Sequence, residues 1–264
     1  PDSRQLMTAG VDGAVRLWDL GPVTGGTSKG AQPVELVEST LFRQESSEVS
    51  DVIYSFDGQK VALLVPGQSI VVLDAGSGEQ LLEITGVGGL STEIAFNPEG
   101  SRLAGSSGDL EATIWDAGTG EKVLTVNDSS TITDIDFTPD NRFLATATID
   151  GTVSLWDMVT GRKSHRLAGH ASWIEHISFN PVTGKLATSG VDGLTRIWDL
   201  NQAASELFSI AAHQGAVYDA VFNADGSKIA SAGEDGLVKL WDGETGELLH
   251  ALPGPLEWPH YPAF

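Results

Sequence analysis

The fourteen residues LATSGVDGLTRIWD, from Leu186 to Asp199, decide how this chain folds. Apolar and polar residues alternate on both sides of Val191-Asp192-Gly193, which has the composition of a tight turn. The stretch therefore predicts two short antiparallel strands joined by that turn. Similar stretches are LMTAGVDGAVRLWD ending at Asp19, a weaker copy ALLVPGQSIVVLD at Asp74, LAGSSGDLEATIWD at Asp116, LATATIDGTVSLWD at Asp157 and IASAGEDGLVKLWD at Asp242.

The last Trp of each copy, or Leu73 in the weak copy, recurs at a nearly constant interval. The intervals between positions 18, 73, 115, 156, 198 and 241 are 55, 42, 41, 42 and 43 residues. The long first interval contains GPVTGGTSKGAQ, which predicts a flexible loop before a strand at 34–39. About four strand-length runs fit in each period, and a unit of this size cannot bury both of its own faces. The copies are therefore predicted to stack into a ring, which protects the sheet edges.

These features resemble the WD-repeat family of β-propellers. The resemblance rests on five Trp-Asp pairs at one spacing, on Asp-Gly turns, and on Gly169-His170 and Ala212-His213. It implies an all-β fold, a β-propeller of antiparallel four-stranded blades whose strands a to d run from the centre outward. Residues 1–264 then form a single domain of six blades, at 1–40 plus 256–264, 48–85, 90–127, 131–168, 173–211 and 216–253.

The two ends of the chain carry complementary parts of one blade. Pro255 precedes Trp258 by three residues and Phe264 by nine, which is the spacing of strand a in the fifth blade. We expect this last strand to complete the first blade and close a six-bladed ring, because an open ring leaves an unpaired inner edge. The alternative is a six-blade segment of a seven-bladed ring. The start within a repeat, without Met, predicts a segment of a longer protein.

The chain is strongly acidic, with 36 acidic and 15 basic residues and a formal charge of −21. Many of the acids fall in the predicted turns, so we attribute much of the charge to turn chemistry. Nucleic acid and anionic membranes require clustered Lys and Arg, so neither is expected as a partner. The chain has no Cys, no signal-peptide pattern and no apolar run near the roughly 20 residues of a membrane span. A cytoplasmic location is predicted.

In WD-repeat proteins a His before strand a, a hydroxyl on strand b, the turn Asp and the strand-c Trp form a buried structural network. The resemblance implies this network in two blades, through His170, Thr188, Asp192 and Trp198, and through His213, Ser231, Asp235 and Trp241. The set is incomplete elsewhere. Asp128 replaces the His in the fourth blade, Pro255 replaces it in the first, and Gly105 replaces the hydroxyl in the third. We expect those three blades to depend more on packing.

A trio of Ser, His and Asp also suggests a hydrolase, but the nucleophile of such enzymes lies on a strand–helix turn, almost no helix is predicted here, and the trio repeats in two blades. An active site in the central channel would require non-repeating acids or His on strand a, and we expect no such set there. We therefore assign no catalytic residue. The four remaining His lack ligand spacing and the Asp-Gly turns lack the calcium-loop pattern, so no metal and no cofactor are predicted.

The predicted function is a non-enzymatic protein-interaction scaffold or sensor domain; a channel hydrolase and a structural spacer are the alternatives. The regularity of the copies resembles bacterial WD-repeat arrays, which sit behind regulatory or nucleotide-hydrolysing modules. The resemblance places partner-binding residues on the top face, beside the first apolar position of strand a. They are Trp258 and His260, Glu48 and Ser50, Leu90 and Thr92, Thr131 and Thr133, Trp173 and Glu175, and Ala216 and Tyr218. Aromatic residues beside acids suit a protein or peptide, including a flanking domain, that offers Arg, Lys or apolar side chains.

Overall fold

A computed structural model describes residues 5–9, 14–19, 37–43, 49–65, 67, 69–85, 87, 93–106, 110–200 and 204–254. These residues form strands, turns and short connections, and none of them is helical. Over these ranges there is consequently no helix with the length and apolar character needed to cross a membrane. The predicted all-β class is confirmed.

The described strands form six antiparallel sheets that follow one another along the chain. The first sheet contains β1 (Gln5–Ala9), β2 (Ala14–Asp19) and β3 (Val37–Arg43). The second contains β4 (Asp51–Tyr54), β5 (Lys60–Val65), β6 (Ser69–Asp74) and β7 (Gln80–Thr85). The third contains β8 (Ile94–Phe96), β9 (Arg102–Ser106), β10 (Glu111–Asp116) and β11 (Lys122–Asn127).

The last three sheets are the most regular. The fourth contains β12 (Ile132–Phe137), β13 (Phe143–Thr148), β14 (Thr152–Asp157) and β15 (Lys163–Ala168). The fifth contains β16 (Ile174–Phe179), β17 (Leu186–Gly190), β18 (Leu194–Asp199) and β19 (Ser205–Ala211). The sixth contains β20 (Val217–Phe222), β21 (Lys228–Gly233), β22 (Leu237–Asp242) and β23 (Leu248–Pro253).

Each sheet is one blade of a β-propeller, because its strands pair in chain order and the first strands of successive sheets lie beside one another. We call the space between β4, β8, β12, β16 and β20 the central channel. The start of strand a and the b–c turn lie at one end of each blade, the top face, and the a–b and c–d turns lie at the bottom face.

The first blade is described only in part. Its outer strand β3 spans Val37–Arg43, so the strand expected at 34–39 was ended four residues too early; 34–36 lie outside the described residues. The predicted Gly-rich loop at 21–32 and the predicted closing strand at 256–264 both lie outside the described residues.

The hydrophobic core lies between blades rather than within them. Between the fourth and fifth blades, for example, Val153, Leu155 and Leu167 pack against Ile177 and Trp198. Each of the five described clusters joins two consecutive blades in this way. Stacking therefore buries the faces that a single sheet leaves open.

The Asp-Gly turn between strands b and c requires glycine for two reasons. Gly193 has a positive φ of 80°, a backbone conformation that costs energy for any residue with a Cβ. A Cβ at this position would also lie 3.0 Å from the carbonyl oxygen of Gly215 in the next blade. The turn that the sequence singles out thus packs against the start of the following blade.

Candidate protein-binding face and central channel

The fifth blade contains a buried chain of four hydrogen-bonded side chains. Trp198 Nε1 donates to Thr188 Oγ1 at 3.0 Å, and the same oxygen lies 2.7 Å from His170 Nε2. His170 Nδ1 lies 2.9 Å from Asp192 Oδ1, and the Ala171 amide donates to Asp192 Oδ2 at 3.0 Å. The chain joins the entry to strand a with strands b and c.

These contacts determine which nitrogen of His170 carries the proton. Thr188 Oγ1 already accepts the indole N–H, so its own hydrogen is available for His170 Nε2. The ring proton then lies on Nδ1 and faces Asp192. Burial lowers the pKa of His170 below its ordinary value, so the ring is neutral at pH 7 even beside a carboxylate.

The sixth blade repeats the arrangement with a serine. Trp241 Nε1 donates to Ser231 Oγ at 2.8 Å, Ser231 Oγ lies 2.7 Å from His213 Nε2, and His213 Nδ1 lies 2.7 Å from Asp235 Oδ1. Lys239 Nζ adds an ion pair to Asp235 at 3.1 Å. Burial acts to raise the pKa of Asp235, but hydrogen bonds from His213, the Gln214 amide and Lys239 lower it to about 2.

The fourth blade corrects one expectation, because its network is rebuilt rather than broken. Trp156 Nε1 donates to Thr146 Oγ1 at 3.0 Å, and Thr146 Oγ1 donates to Asp128 Oδ2 at 2.6 Å. Asp128 thus takes the place of the His. Lys163, 35 residues further along, donates to Asp128 Oδ1 at 2.7 Å and supplies the positive charge that a buried carboxylate requires.

The other blades depart from the pattern in two ways. In the second blade Leu63 and Leu73 replace the hydroxyl residue and the Trp, and both are fully buried. In the third, a Cβ at Gly105 would lie 3.2 Å from Cζ3 of Trp115, so the benzene edge of the indole lies over the glycine. For the first blade, Asp12 and Pro255 lie outside the described residues.

On the top face, an exposed aromatic residue lies where the fifth blade begins. Trp173 is 53% exposed, and its carbonyl oxygen accepts the amide of Val191, which is 40% exposed. Glu175 and Tyr218, on neighbouring strands a, are both partly exposed. Burial, Glu234 and Glu175 raise the pKa of Tyr218, which indicates that these acids lie close to its hydroxyl.

The remaining predicted top-face residues differ in what they offer a partner. Ala216 is only 7% exposed, and Thr133 Oγ1 donates to the carbonyl oxygen of Ile174 at 2.6 Å, which commits it to the blade interface. Thr131 is partly exposed and Ser50 is exposed. The residues outside the described ranges are Glu48, Leu90, Thr92, Trp258 and His260. Val191 and Glu234 were missed, although both precede the conspicuous turn Asp.

The central channel corrects a second expectation, that strand a carries no cluster of acids or His. The position three residues before the last residue of strand a is titratable in five consecutive blades, and these side chains meet along the channel. They are Asp51, Glu93, Asp134, His176 and Asp219. A register shift before this position in the last three blades turns it away from the core. The shared position was visible in the sequence, but the meeting of the side chains was not.

His176 is the cationic centre of this cluster. Its Nδ1 lies 2.8 Å from Asp219 Oδ1 and its Nε2 lies 3.7 Å from Asp134 Oδ2, so it joins three consecutive blades. Burial opposes protonation, but Asp219 and Asp134 outweigh it and hold the pKa of His176 well above its usual value. Burial, with Asp134 and Asp51 nearby, raises the pKa of Glu93 well above its usual value.

The acids also satisfy the inner edges of the blades. Asp51 Oδ2 accepts the amide of Ile94 at 3.1 Å, and Asp134 Oδ2 accepts the amide of Ile177 at 2.6 Å, in each case from the next blade. Strand a has no paired neighbour on this side, so these amides would otherwise lack a partner. In the described part of the chain, no three His, Asp or Glu side chains are disposed to hold a metal ion.

Comparison with known proteins agrees with this geometry. Residues 1–19, 120–157, 161–199 and 204–242 match the family model for the WD domain, G-beta repeat, and together they cover about half of the chain. The chain belongs to the WD-repeat family. Domains built from WD repeats generally mediate protein–protein interactions, and a protein-interaction scaffold is the general function that the family supports.

One curated protein is similar in sequence to part of this WD-repeat chain. WD repeat-containing protein 1 of Gallus gallus is 27% identical over 169 residues, a match that covers 50% of this chain and 28% of the relative. The matched region therefore spans less than a third of that relative's length.

Proposed function

We propose that this WD-repeat domain binds a protein or peptide through its top face at the fifth and sixth blades. The observation that carries the proposal is Trp173, whose side chain is 53% exposed next to Val191. A large exposed aromatic side chain leaves apolar surface in contact with water, and binding a partner removes that contact. Such residues are typical anchors of protein interfaces.

The surroundings of Trp173 define the partner's chemistry. Glu175 and Glu234 lie beside Tyr218, so the aromatic residues share the surface with negative charge. Arg and Lys side chains pair with carboxylates and also stack on aromatic rings. The chain as a whole carries a formal charge of −21, which favours the approach of cationic segments. The proposed partner therefore presents Arg or Lys next to an apolar side chain.

We regard the domain as non-enzymatic, cytoplasmic and part of a larger regulatory protein. The channel acids accept backbone amides of the next blade and pair with His176, which gives them a structural use. A flanking domain of the same polypeptide is one source of the partner segment. We propose neither nucleic acid nor a membrane as the partner. The top-face residues Trp173, Glu175 and Tyr218 are aromatic or acidic, whereas both of those partners require clustered Lys and Arg.

A peptide-display selection tests this proposal. Peptides selected on the wild-type domain should be enriched in Arg or Lys next to apolar residues, and their affinity should fall at least about tenfold with Trp173→Ala or Tyr218→Ala. Leu207→Ala is the matched control, because Leu207 is 40% exposed on strand d of the same blade, away from the top face. Unchanged affinity in both top-face variants, with circular dichroism showing an intact fold, would overturn the proposal.

A further inference from the structure

A cavity of about 310 Å³ opens at the bottom end of the central channel, where the strands a finish. Aromatic residues from four consecutive blades and prolines from three a–b turns line it, among them Tyr54, Phe137 and Pro139. Phe56 and Asp136 complete the wall. Its volume is at the small end of the range for ligand sites.

Phe56 departs from the pattern of the repeat. The corresponding position in the a–b turns of the next four blades holds Pro98, Pro139, Pro181 and Ala224. Phe56 is 69% exposed and lies at the cavity. Neither turn geometry nor packing requires an aromatic residue there, because the third, fourth and sixth blades form the same turn without one.

Asp136 is the second departure, and it lines the same cavity. The corresponding residues on the other strands a are Ile53, Ala95, Ser178 and Val221. Asp136 accepts its neighbour's amide, Phe137 N, at 2.8 Å and also accepts the amide of Phe179 in the next blade.

That interblade contact does not require a carboxylate. Ser178 Oγ accepts the amide of Phe222 at 3.3 Å in the equivalent place. The protein therefore places a charge-bearing group at an apolar cavity where a hydroxyl would satisfy the backbone. Burial, with Asp134 close by, raises the pKa of Asp136 to about 7. The hydrogen bonds and the positive charge that the protein supplies therefore do not offset the cost of burying the ionised carboxylate.

A second polar group, the hydroxyl of Tyr54, belongs to a residue that lines the cavity. Tyr54 Oη is buried, and no atom of the described residues forms a hydrogen bond with it. Buried hydroxyl groups in folded proteins are normally paired, either with protein or with ordered water.

We propose that this cavity binds a small organic amine, with the apolar body of the ligand among the aromatic rings and its ammonium group beside Asp136. Aromatic rings attract cations through their negative faces, and a desolvated carboxylate adds a charge-assisted hydrogen bond. Both residues that depart from the repeat pattern would contact this ligand. Phe56 adds aromatic surface for its apolar body, and Asp136 adds a negative charge for its ammonium group. The site lies at the bottom face, so it is independent of partner binding on the top face.

The test compares two probes that differ only in charge, 2-phenylethylamine and 2-phenylethanol, titrated by calorimetry and by amide NMR at pH 8. We expect the amine to bind at least about tenfold more tightly than the alcohol, because a hydrogen bond to a charged group exceeds a neutral one by that amount. Asp136→Ser should remove this preference, and Phe56→Ala should weaken both probes. Both substitutions introduce residues that other blades already hold at these positions, which favours an intact fold.

The pH dependence separates this site from adventitious binding. Affinity for the amine should rise between pH 6 and pH 8 as Asp136 ionises, and Asp136→Ser should abolish the rise. The charged groups that face Asp136 are Asp134 on its own strand and His176 on β16, and neither changes in this variant. Asp225→Ser, in an exposed turn, is the control and should leave binding unchanged. Equal affinity for amine and alcohol, or full amine binding by Asp136→Ser, would overturn the proposal.

Discussion

Thr146 donates its hydroxyl hydrogen to Asp128 at 2.6 Å, at the place where the two following blades hold a histidine. One network position is thus filled by two different chemistries. A neutral His is sufficient in the fifth and sixth blades, whereas the carboxylate of the fourth requires Lys163 at 2.7 Å. Asp128 is 6% exposed, so its charge depends on that partner.

Asp128→Ala should therefore lower the free energy of unfolding by about 1–3 kcal/mol, since it leaves the Thr146 hydroxyl and the Lys163 ammonium without their acceptor. Urea denaturation of the variant measures the change. Asp140→Ala, in the exposed a–b turn of the same blade, is the control and should cost less. A cost for Asp128→Ala no greater than that of the control would show that the rebuilt network does not contribute.

Asp192→Ala in the fifth blade should cost a similar amount, about 1–3 kcal/mol, because His170 loses the acceptor for its Nδ1 proton. The double variant Asp192→Ala, Thr188→Ala should cost less than the sum of the single variants, since both belong to one hydrogen-bonded chain. Chemical denaturation of the four proteins gives the coupling energy. Strict additivity would mean that the side chains act independently.

The raised pKa values of Asp134, Asp136 and His176 predict that the free energy of unfolding falls as pH rises above about 4. Burial raises the pKa of Asp134 to about 6 and that of Asp136 to about 7, so the folded state binds more protons than the unfolded state between pH 4 and pH 7. His176, with its pKa raised well above its usual value, stabilises the fold below pH 6.5 and loses this contribution as pH rises through its folded pKa.

Asp136→Asn isolates one of these groups. Each pKa unit corresponds to about 1.4 kcal/mol, so wild type should lose about 2–3 kcal/mol relative to the variant between pH 5 and pH 8. Denaturant midpoints at the two pH values measure this difference. Parallel pH profiles for the two proteins would contradict the raised pKa of Asp136.

Leu252 on the last described strand bears on closure of the ring. The equivalent residues Ile84, Val126, Leu167 and Ile210 are all buried against the next blade. Leu252 is 58% exposed. If residues 255–264 complete the first blade and bring it against the sixth, Leu252 becomes buried in the closed ring.

Leu252→Ala should then cost about 2 kcal/mol or more in the full chain, as for other buried leucines, and little in a chain lacking residues 255–264. Thermal unfolding of the two chains, each with and without the substitution, measures both effects. The truncation itself should lower the melting temperature. A substitution without effect in the full chain would favour the open, six-blade segment of a larger ring.

The sequence by itself determined the repeat, the strand content, the turns and the network residues of the fifth and sixth blades. These follow from alternation, turn chemistry and spacing within one repeat, where each group meets its partners over short, regular separations. The same spacing placed Asp128 at the His position but could not show that it forms a network there, because its compensating cation, Lys163, lies on the outer strand of its blade.

Only the tertiary structure decided what happens between blades. Asp134 and Ile177 are 43 residues apart, and they meet because the first strands of successive blades lie side by side around the channel. The cavity beside Asp136 and Phe56 likewise combines residues of four blades. Such contacts depend on how closely stacked sheets approach one another. The pattern of residues within a single repeat contains no information about the distance between blades.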